Sequence, residues 1–127
     1  MLMSNVVTHS TPPIKHREFF VESAYDGLNI SVLEVAPVEK PKAVVFLAHG
    51  LCGCKERFLA FMEYLARNGV ACVANDHRGH GSSIRNEEDR GYTYQGGAKA
   101  IVMDMEVVAD YIYQRYQDVP VTLLGHS

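Results

Sequence analysis

Residues 121–127 read Val-Thr-Leu-Leu-Gly-His-Ser, a short apolar run that leads into Gly-x-Ser. These are the first three positions of a G-x-S-x-G sequence, in which a strand turns sharply into a helix and the serine hydroxyl projects from the bend. Glycine is required there because a side chain would clash in so tight a turn. The stretch therefore predicts a buried strand that ends in a sharp turn at Ser127.

Two earlier apolar runs predict strands of the same kind. Residues 43–48 read Ala-Val-Val-Phe-Leu-Ala and residues 70–74 read Val-Ala-Cys-Val-Ala, both without polar alternation. Such continuous runs are typical of strands that are covered on both faces. Together with residues 121–124, they predict three parallel neighbours in one sheet.

Helical periodicity fills the segments between these strands. One apolar stripe lies between residues 56 and 68, before the stop signal Gly69, and a second lies between residues 97 and 116. The stripes consist of Phe58, Met62 and Leu65, and of Ile101, Met105, Val108 and Ile112. Strands that alternate with helices predict right-handed crossovers, with helices on both faces of the sheet.

An antiparallel hairpin is expected before the parallel strands. Asp26-Gly27 lies within residues 18–35, and a two-residue primed turn favours this dipeptide because the turn needs positive φ. Residues 28–32 alternate between apolar and polar, as in a half-buried strand. The predicted fold class is therefore α/β, a hairpin followed by parallel strands. The predicted domain spans residues 18–127, after a flexible tail at residues 1–17.

The composition excludes several classes of partner. Of the 127 residues, 47% are hydrophobic and 21% are charged, and the net charge is -3. Nucleic acids and anionic membranes both require a basic face, so neither is expected as a partner. No apolar run approaches the roughly 18 residues of a membrane span, and the polar N-terminus lacks the order of a signal peptide.

The cysteines favour a reducing compartment and give no sign of a metal. There are three of them, an odd number, and no export signal accompanies them, so we expect a cytoplasmic protein. Cys52 and Cys54 are separated by one residue, whereas zinc and redox pairs usually have two. We expect no metal and no organic cofactor.

Three unusual loops follow the predicted parallel strands. They are residues 49–53 (His-Gly-Leu-Cys-Gly), residues 76–83 (Asp-His-Arg-Gly-His-Gly-Ser-Ser) and residues 125–127. Ligands of α/β sheets bind outside the carboxyl ends of such strands, so the three loops predict one site. A serine nucleophile needs a base and donors aimed at the oxyanion, and the Leu51 N–H is well placed as one such donor. The plainer alternative is that His49-Gly50 only makes a turn.

These motifs, in this order and at these separations, resemble the α/β-hydrolase superfamily from about Phe19 onward. Within that superfamily, the chain resembles the monoacylglycerol lipase, lysophospholipase and serine aminopeptidase-like group. It implies that Ser127 is the nucleophile and that Leu51 supplies an oxyanion N–H. It also implies that the second oxyanion N–H, the acid, the catalytic histidine and the substrate-covering cap all follow the nucleophile. On that basis the chain is the N-terminal portion of its domain, and residues 1–127 alone are expected to be inactive.

The remaining polar residues in and near the loops are expected to have structural roles. The histidines at positions 49, 77, 80 and 126 lie near the predicted site, but in this fold the base follows the serine. His49 and His80 are expected to hold their glycine turns by hydrogen bonds. Asp76 is expected to cap the turn after its strand, and Asp104 to have an ordinary solvated or packing role in a helix.

Two classes of function compete. The first is a serine hydrolase that cleaves carboxylic esters, with a small-molecule ester or an acyl lipid as substrate and an acyl-enzyme intermediate. The second is a non-catalytic or truncated module with a hydrolase fold. Among enzymes of this fold, a peptidase, a thioesterase or a cofactor-free haloperoxidase also stays open, whereas enzymes that use a carboxylate nucleophile are disfavoured by Ser127. The sequence gives no signal for the substrate's acyl chain or alcohol, or for the oligomeric state.

Overall fold

The computed structural model describes residues 12–126, so residues 1–11 of the predicted tail and Ser127 lie outside the described part. The described part contains five strands and two α-helices. Short 3₁₀ turns also occur at Lys55–Phe58 and Glu87–Asp89. In chain order the elements are β1 (Ile14–Glu22), β2 (Asn29–Pro37), β3 (Ala43–Ala48), α1 (Leu59–Arg67), β4 (Val70–Asn75), α2 (Gly97–Arg115) and β5 (Val121–Gly125).

The strands form one mixed sheet in the order β1-β2-β4-β3-β5. β3 lies between β4 and β5 and is parallel to both, while β2 is antiparallel to β1 and to β4. The prediction of three parallel neighbours is therefore confirmed. The prediction that residues 121–124 form a buried strand is wrong, because β5 lies at the edge of the described sheet and its Leu123 and Leu124 are 60% and 46% exposed. Because parallel strands share one direction, their carboxyl ends and the loops that follow them meet at the same edge of the sheet.

Each face of the sheet packs against one helix, as the two apolar stripes predict. The face toward α2 buries Ile30, Val32, Val44, Phe46, Val73, Val108 and Ile112, among others. The opposite face, toward α1, buries Leu33, Val35, Leu47, Met62, Ala66, Cys72 and Ala74. Burial of apolar surface on both faces is the main force that holds this sheet together. No helix among residues 12–126 has the length and hydropathy needed to cross a bilayer.

The hairpin forms, but the predicted two-residue turn at Asp26-Gly27 is wrong. Glu22 lies opposite Asn29, so residues 23–28 make a longer loop. Asp26 accepts the Leu28 N–H at 3.1 Å, and its carboxylate also binds the guanidinium of Arg78. This long-range pairing sets the loop's shape, and a local turn rule does not include it.

β1 and β2 also differ from expectation in extent and burial. β1 begins at Ile14, opposite Pro37, rather than at residue 18, so residues 14–17 of the predicted tail belong to the sheet. The predicted half-buried strand is instead buried throughout residues 30–37. Its polar residues have partners there. The Ser31 N–H donates to the Ser83 hydroxyl at 2.9 Å, and Glu34 accepts hydrogen bonds from Tyr111, Tyr116 and Arg115.

Candidate active site

Two loops leave the carboxyl ends of β3 and β4 and lie side by side. We call residues 49–54 the β3 loop and residues 76–83 the β4 loop. The end of β5 joins them, because the His126 N–H donates to the Ala48 carbonyl at 2.9 Å. The structure therefore brings the first two predicted loops, and residues 125 and 126 of the third, to one edge of the sheet.

A concavity opens between the β3 loop and the end of β5. It is lined by His49, Gly50, Leu51, Gly53, Arg57, Phe58 and His126. The Leu51 side chain stands at its rim, 90% exposed to solvent. Ser127, the predicted nucleophile, follows His126 in the chain and lies outside the described residues. The structure thus describes the site as far as the residue that precedes the predicted nucleophile.

The β3 loop is a tight turn centred on Leu51 and Cys52. The Gly53 N–H donates to the Gly50 carbonyl at 3.0 Å, and Cys52 has a φ of 63°, in the left-handed region. This combination is that of a type II turn, with Leu51 at its second position and Cys52 at its third. A Cβ atom on Gly53 would lie 3.0 Å from the Gly50 oxygen and 3.1 Å from the His49 side chain, so the tight packing of that corner favours glycine.

His49 links the two loops and is held in one neutral tautomer. Its Nε2 accepts the backbone N–H of His77 at 2.9 Å, and its Nδ1 donates to the Gly50 carbonyl at 2.7 Å. The side chain is only 5% exposed, and burial lowers its pKa. Both ring nitrogens are occupied by backbone groups, which agrees with the expected role of His49 in holding the turn.

His77 completes a reciprocal pair with His49. Its Nε2 donates to the His49 carbonyl at 3.0 Å, and the two rings lie 4.3 Å apart between centroids. Burial, together with the neighbouring His49, lowers the pKa of His77 to about 4. The buried Nδ1 of His77 has no hydrogen-bond partner among residues 12–126. His77 is therefore neutral at physiological pH and serves as a bridge between the β3 and β4 loops.

His80 supplies a third link between the same two loops. Its Nε2 accepts the backbone N–H of Cys52 at 3.2 Å, and its Nδ1 donates to the Arg78 carbonyl at 3.1 Å. Its ring lies 5.1 Å from that of His49. As with His49, both ring nitrogens are committed to the backbone, so His80 holds its loop as the sequence predicts.

Asp76 caps both loops from a fully buried position. One carboxylate oxygen accepts the Lys55 backbone N–H at 2.7 Å, and the other accepts the Ser82 N–H and the Lys55 ammonium, each at 2.9 Å. Lys55 is itself fully buried. Burial alone would lower its pKa, but hydrogen bonds to Glu56, Glu18 and Asp76 outweigh burial and raise it. The predicted capping role of Asp76 therefore extends to the first turn after the β3 loop.

Arg78 anchors the β4 loop to the rest of the domain. Its guanidinium donates to both carboxylate oxygens of Asp104, at 2.8 and 3.2 Å, and to both of Asp26, each at 2.9 Å. Asp104 is fully buried, so the expected solvated role is wrong. The expected packing role is correct, and Asp104 packs in the interior as an ion-pair partner of Arg78. The loop is thereby fixed to α2 and to the β1–β2 connection.

Sequence reasoning missed two buried polar residues of this edge, Lys55 and Asn75. Lys55 gave no signal because its buried partner, Asp76, lies 21 positions later in the chain. Asn75, at the end of β4, is fully buried, and neither atom of its side-chain amide has a partner among the described residues. An asparagine that ends an otherwise apolar strand, immediately before the loop motif, was the available clue.

Hydrogen bonds between the β3 and β4 loops hold both loops in a fixed arrangement beside the concavity. Residues of the β3 loop line the concavity, and histidines link this loop to the β4 loop by hydrogen bonds. No group of three side chains with metal-ligand chemistry occurs in the part of the chain that the structure describes.

Comparison with known proteins gives concordant relatives. The family model described as serine aminopeptidase, S33, matches residues 39–127. The chain is 33% identical over 101 residues to monoglyceride lipase of Rattus norvegicus, covering 72% of this chain and 28% of that protein. It is 32% identical over 98 residues to the monoglyceride lipase homolog of Monkeypox virus, covering 72% and 31%. The chain thus spans about a third of the length of these relatives.

Comparison with solved structures agrees with these sequence relatives. A thermostable carboxyl esterase from Bacillus coagulans superposes with a TM-score of 0.78 at 22% identity, covering 87% of this chain and 36% of that one. At that identity the likeness shows the fold alone, and the mixed sheet with a helix on each face is that of the α/β-hydrolases. With the family model matched over most of the chain, the protein belongs to the serine aminopeptidase (S33) family of α/β-hydrolases.

Proposed function

We propose that the chain is the N-terminal portion of a serine hydrolase that cleaves carboxylic esters of the acyl-glycerol type. The observation that carries the proposal is the hydrogen bond from the His126 N–H to the Ala48 carbonyl, at 2.9 Å. It joins the end of β5 to the start of the β3 loop, so the residue before Ser127 adjoins the turn that carries Leu51. The similarity to monoglyceride lipases supports the acyl-glycerol class of substrate.

In the proposed mechanism the Ser127 hydroxyl attacks the ester carbonyl carbon. A base takes the hydroxyl proton, and the negative charge that forms on the carbonyl oxygen is stabilised by the Leu51 N–H. The C–O bond to the alcohol then breaks, and the alcohol leaves with a proton from the base. Water attacks the resulting acyl-enzyme by the reverse order of proton transfers, releasing the acid and restoring Ser127.

The hydrogen bonds of the three loop histidines support a base supplied from beyond these loops. His49 and His80 each use both ring nitrogens on backbone groups. His77 uses one nitrogen on a carbonyl, and its other nitrogen is buried. To accept the serine proton, any of them would have to give up a loop hydrogen bond or rotate. We therefore propose that the histidine and the acid of the full-length protein lie after Ser127, in the order usual for this fold.

The proposed location is the cytoplasm. Cys52, Cys54 and Cys72 are all free thiols, which supports a reducing compartment. Burial raises the pKa of the Cys72 thiol to about 12, so that residue is inert and belongs to the core.

The proposal is tested with the full-length protein on a long-chain monoacylglycerol, beside an aminoacyl p-nitroanilide and an acyl thioester. We expect monoacylglycerol to be the preferred substrate and Ser127→Ala to lose about a thousandfold or more in kcat. Preference for the anilide would make the protein a peptidase. No turnover of any substrate would instead favour the non-catalytic module.

A further inference from the structure

Two thiols of the β3 loop have no part in the proposed hydrolysis. Cys52 is exposed and Cys54 is half-buried, and both are free thiols. Both line a second concavity, which opens between the β3 and β4 loops and which His80 and Arg90 also line. We call it the thiol concavity. It adjoins the concavity of the candidate site at Gly53, which lines both.

Hydrogen bonds anchor the chain on both sides of the two thiols. The Cys52 N–H donates to His80 Nε2 at 3.2 Å. After Cys54, the Lys55 N–H donates to the buried carboxylate of Asp76 at 2.7 Å. The two thiols are therefore presented to one concavity by a segment that is fixed before and after them.

The spacing of the two cysteines allows a disulfide with only a small bend of the chain. Two consecutive peptide units span at most about 7 Å between α-carbons. Disulfides join α-carbons that lie about 4.4–6.8 Å apart. The residue between the cysteines is Gly53, and the wide φ/ψ range of glycine lets the chain bend by this amount. A disulfide between Cys52 and Cys54 is thus within reach of the β3 loop.

Such a disulfide is of the kind that is easily reduced. A ring closed across one intervening residue departs from relaxed disulfide geometry and stores strain. Strained or exposed disulfides are the labile ones, whereas structural disulfides resist reduction. In the cytoplasm, disulfides are usually transient and redox-sensing. A reversible disulfide at this place therefore agrees with the proposed location of the protein.

Cys72 provides the contrast within the same chain. It is fully buried in the core, and burial raises its pKa to about 12. Because the thiolate is the nucleophile in thiol oxidation, Cys72 is protected from oxidants. Cys52, in contrast, is open to dissolved molecules and has a second thiol in the same concavity.

From this arrangement we propose that Cys52 and Cys54 form a redox modification site, which hydrogen peroxide converts to a reversible disulfide. The Cys52 thiolate attacks one peroxide oxygen, the O–O bond breaks, and a sulfenic acid and hydroxide form. The Cys54 thiolate then attacks the Cys52 sulfur and displaces a second hydroxide. The two protons of the thiols convert both hydroxides to water, so two electrons pass from the sulfurs to the peroxide. This inference goes beyond the proposed hydrolysis and does not depend on it.

Peptide mapping of the full-length protein tests the proposal. The reduced protein is divided into a sample treated with hydrogen peroxide and an untreated sample. Free thiols are then blocked with N-ethylmaleimide in denaturant, and both samples are digested with trypsin. Trypsin releases residues 43–55, which contain Cys52 and Cys54 and no other cysteine. It also releases residues 68–78, which contain only Cys72 and serve as the internal control.

We expect peroxide to convert most of peptide 43–55 to an unlabelled form that is two hydrogen atoms lighter than the dithiol. Reduced glutathione, added before blocking, should restore the doubly labelled form. Peptide 68–78 should remain labelled throughout. In Cys54→Ser the second thiol is missing, so dimedone should trap the sulfenic acid of Cys52 at least about fivefold more than in wild type.

Three results would overturn the proposal. Peptide 43–55 could keep both labels after peroxide treatment, gain oxygen instead of losing hydrogen, or become linked to a different peptide. Equal dimedone labelling of Cys52 in wild type and Cys54→Ser would also contradict it, because Cys54 would then not resolve the sulfenic acid. None of these results bears on the ester hydrolysis, which the assay with monoacylglycerol tests separately.

Discussion

Arg78 shows how a single residue ties the site to the domain. It is fully buried between the carboxylates of Asp26 and Asp104, and it also donates to the Ser23 hydroxyl at 3.0 Å. Hydrogen bonds from Arg78 lower the pKa of Asp26 to about 2. The stability that this carboxylate contributes is therefore present above its unfolded pKa of 3.8 and is lost as the pH falls toward 2.

Replacement of Arg78 by methionine should destabilise the domain strongly. Asp104 is fully buried and would be left as an unpaired charge, which typically costs about 3–5 kcal/mol. The double variant Arg78→Met/Asp104→Leu removes both charges and should recover at least about 1 kcal/mol. Urea unfolding of the two variants measures this difference, and a double variant that is less stable than Arg78→Met would contradict the ion-pair account.

Two glycines of the β4 loop are needed because the loop packs closely against its neighbours. Gly79 and Gly81 have φ values of 79° and 51°. A Cβ atom on Gly81 would overlap the carboxylate of Asp76, and one on Gly79 would overlap the Tyr92 backbone. Gly81 thus permits the close approach of the loop to Asp76, which accepts two backbone N–H groups, and Gly79 permits the close approach to Tyr92.

Gly81→Ala should therefore cost more than the ordinary penalty of positive φ. Gly91 is the matched control, because its φ is 90° and a Cβ atom there meets nothing within 4 Å. We expect Gly91→Ala to lose about 1–2 kcal/mol and Gly81→Ala at least about 2 kcal/mol more, as both conformation and packing fail. Equal losses in the free energy of unfolding would mean that the Asp76 contact is unimportant.

The elements that the sequence predicts well are those set by local pattern. Residues 43–48 form a largely buried parallel strand as expected, because a strand covered on both faces leaves a continuous apolar run. Residues 121–124 are parallel to that strand as expected, but they are largely exposed rather than buried, because β5 lies at the edge of the described sheet. Contacts between distant residues were not predictable in this way. Arg78 pairs with residues 52 positions before it and 26 after it, and no periodicity encodes such a pair.

The candidate site was also predictable only in part. The order of the glycine loops and the direction of β3 and β5 predict that His49-Gly50-Leu51 and the end of β5 share one edge, and the structure describes this as far as His126. The links between the β3 and β4 loops were not derivable, because they depend on which ring nitrogen of each histidine faces which backbone group. The assignments of Ser127 and Leu51 stay predictions.

For the whole molecule, two buried neutral histidines make stability depend on pH. The folded-state pKa of His77 is about 4 and that of His49 is also lowered, so the unfolded chain binds more protons as the pH falls below 6.5. Stability should therefore fall between pH 6.5 and pH 4, with His77 contributing up to about 3 kcal/mol. This window lies above the one set by Asp26.

The measurement is the urea midpoint from pH 4 to pH 7.5, for wild type and His77→Gln. Glutamine can still donate to the His49 carbonyl but does not titrate, so its profile should be flatter over that range. Parallel profiles for the two proteins would show that His77 does not cause the acid sensitivity.

The proposed mechanism also predicts that residues 1–127 by themselves do not hydrolyse p-nitrophenyl acetate. The three loop histidines are committed to holding the loops, and removal of triad members typically costs about a millionfold in turnover. The control is the same polypeptide with Ser127→Ala. Turnover more than about tenfold above that control would mean that His49, His80 or another residue within 1–127 acts as the base.

Labelling with a fluorophosphonate tests whether Ser127 is an activated nucleophile. The full-length protein is treated with the reagent, and the modified residue is identified by peptide mass spectrometry. Because the reagent reacts with serines that are activated by a base, it needs no knowledge of the substrate. We expect one modified residue, Ser127, with no label in Ser127→Ala. A protein that hydrolyses monoacylglycerol but is labelled elsewhere, or not at all, would contradict it.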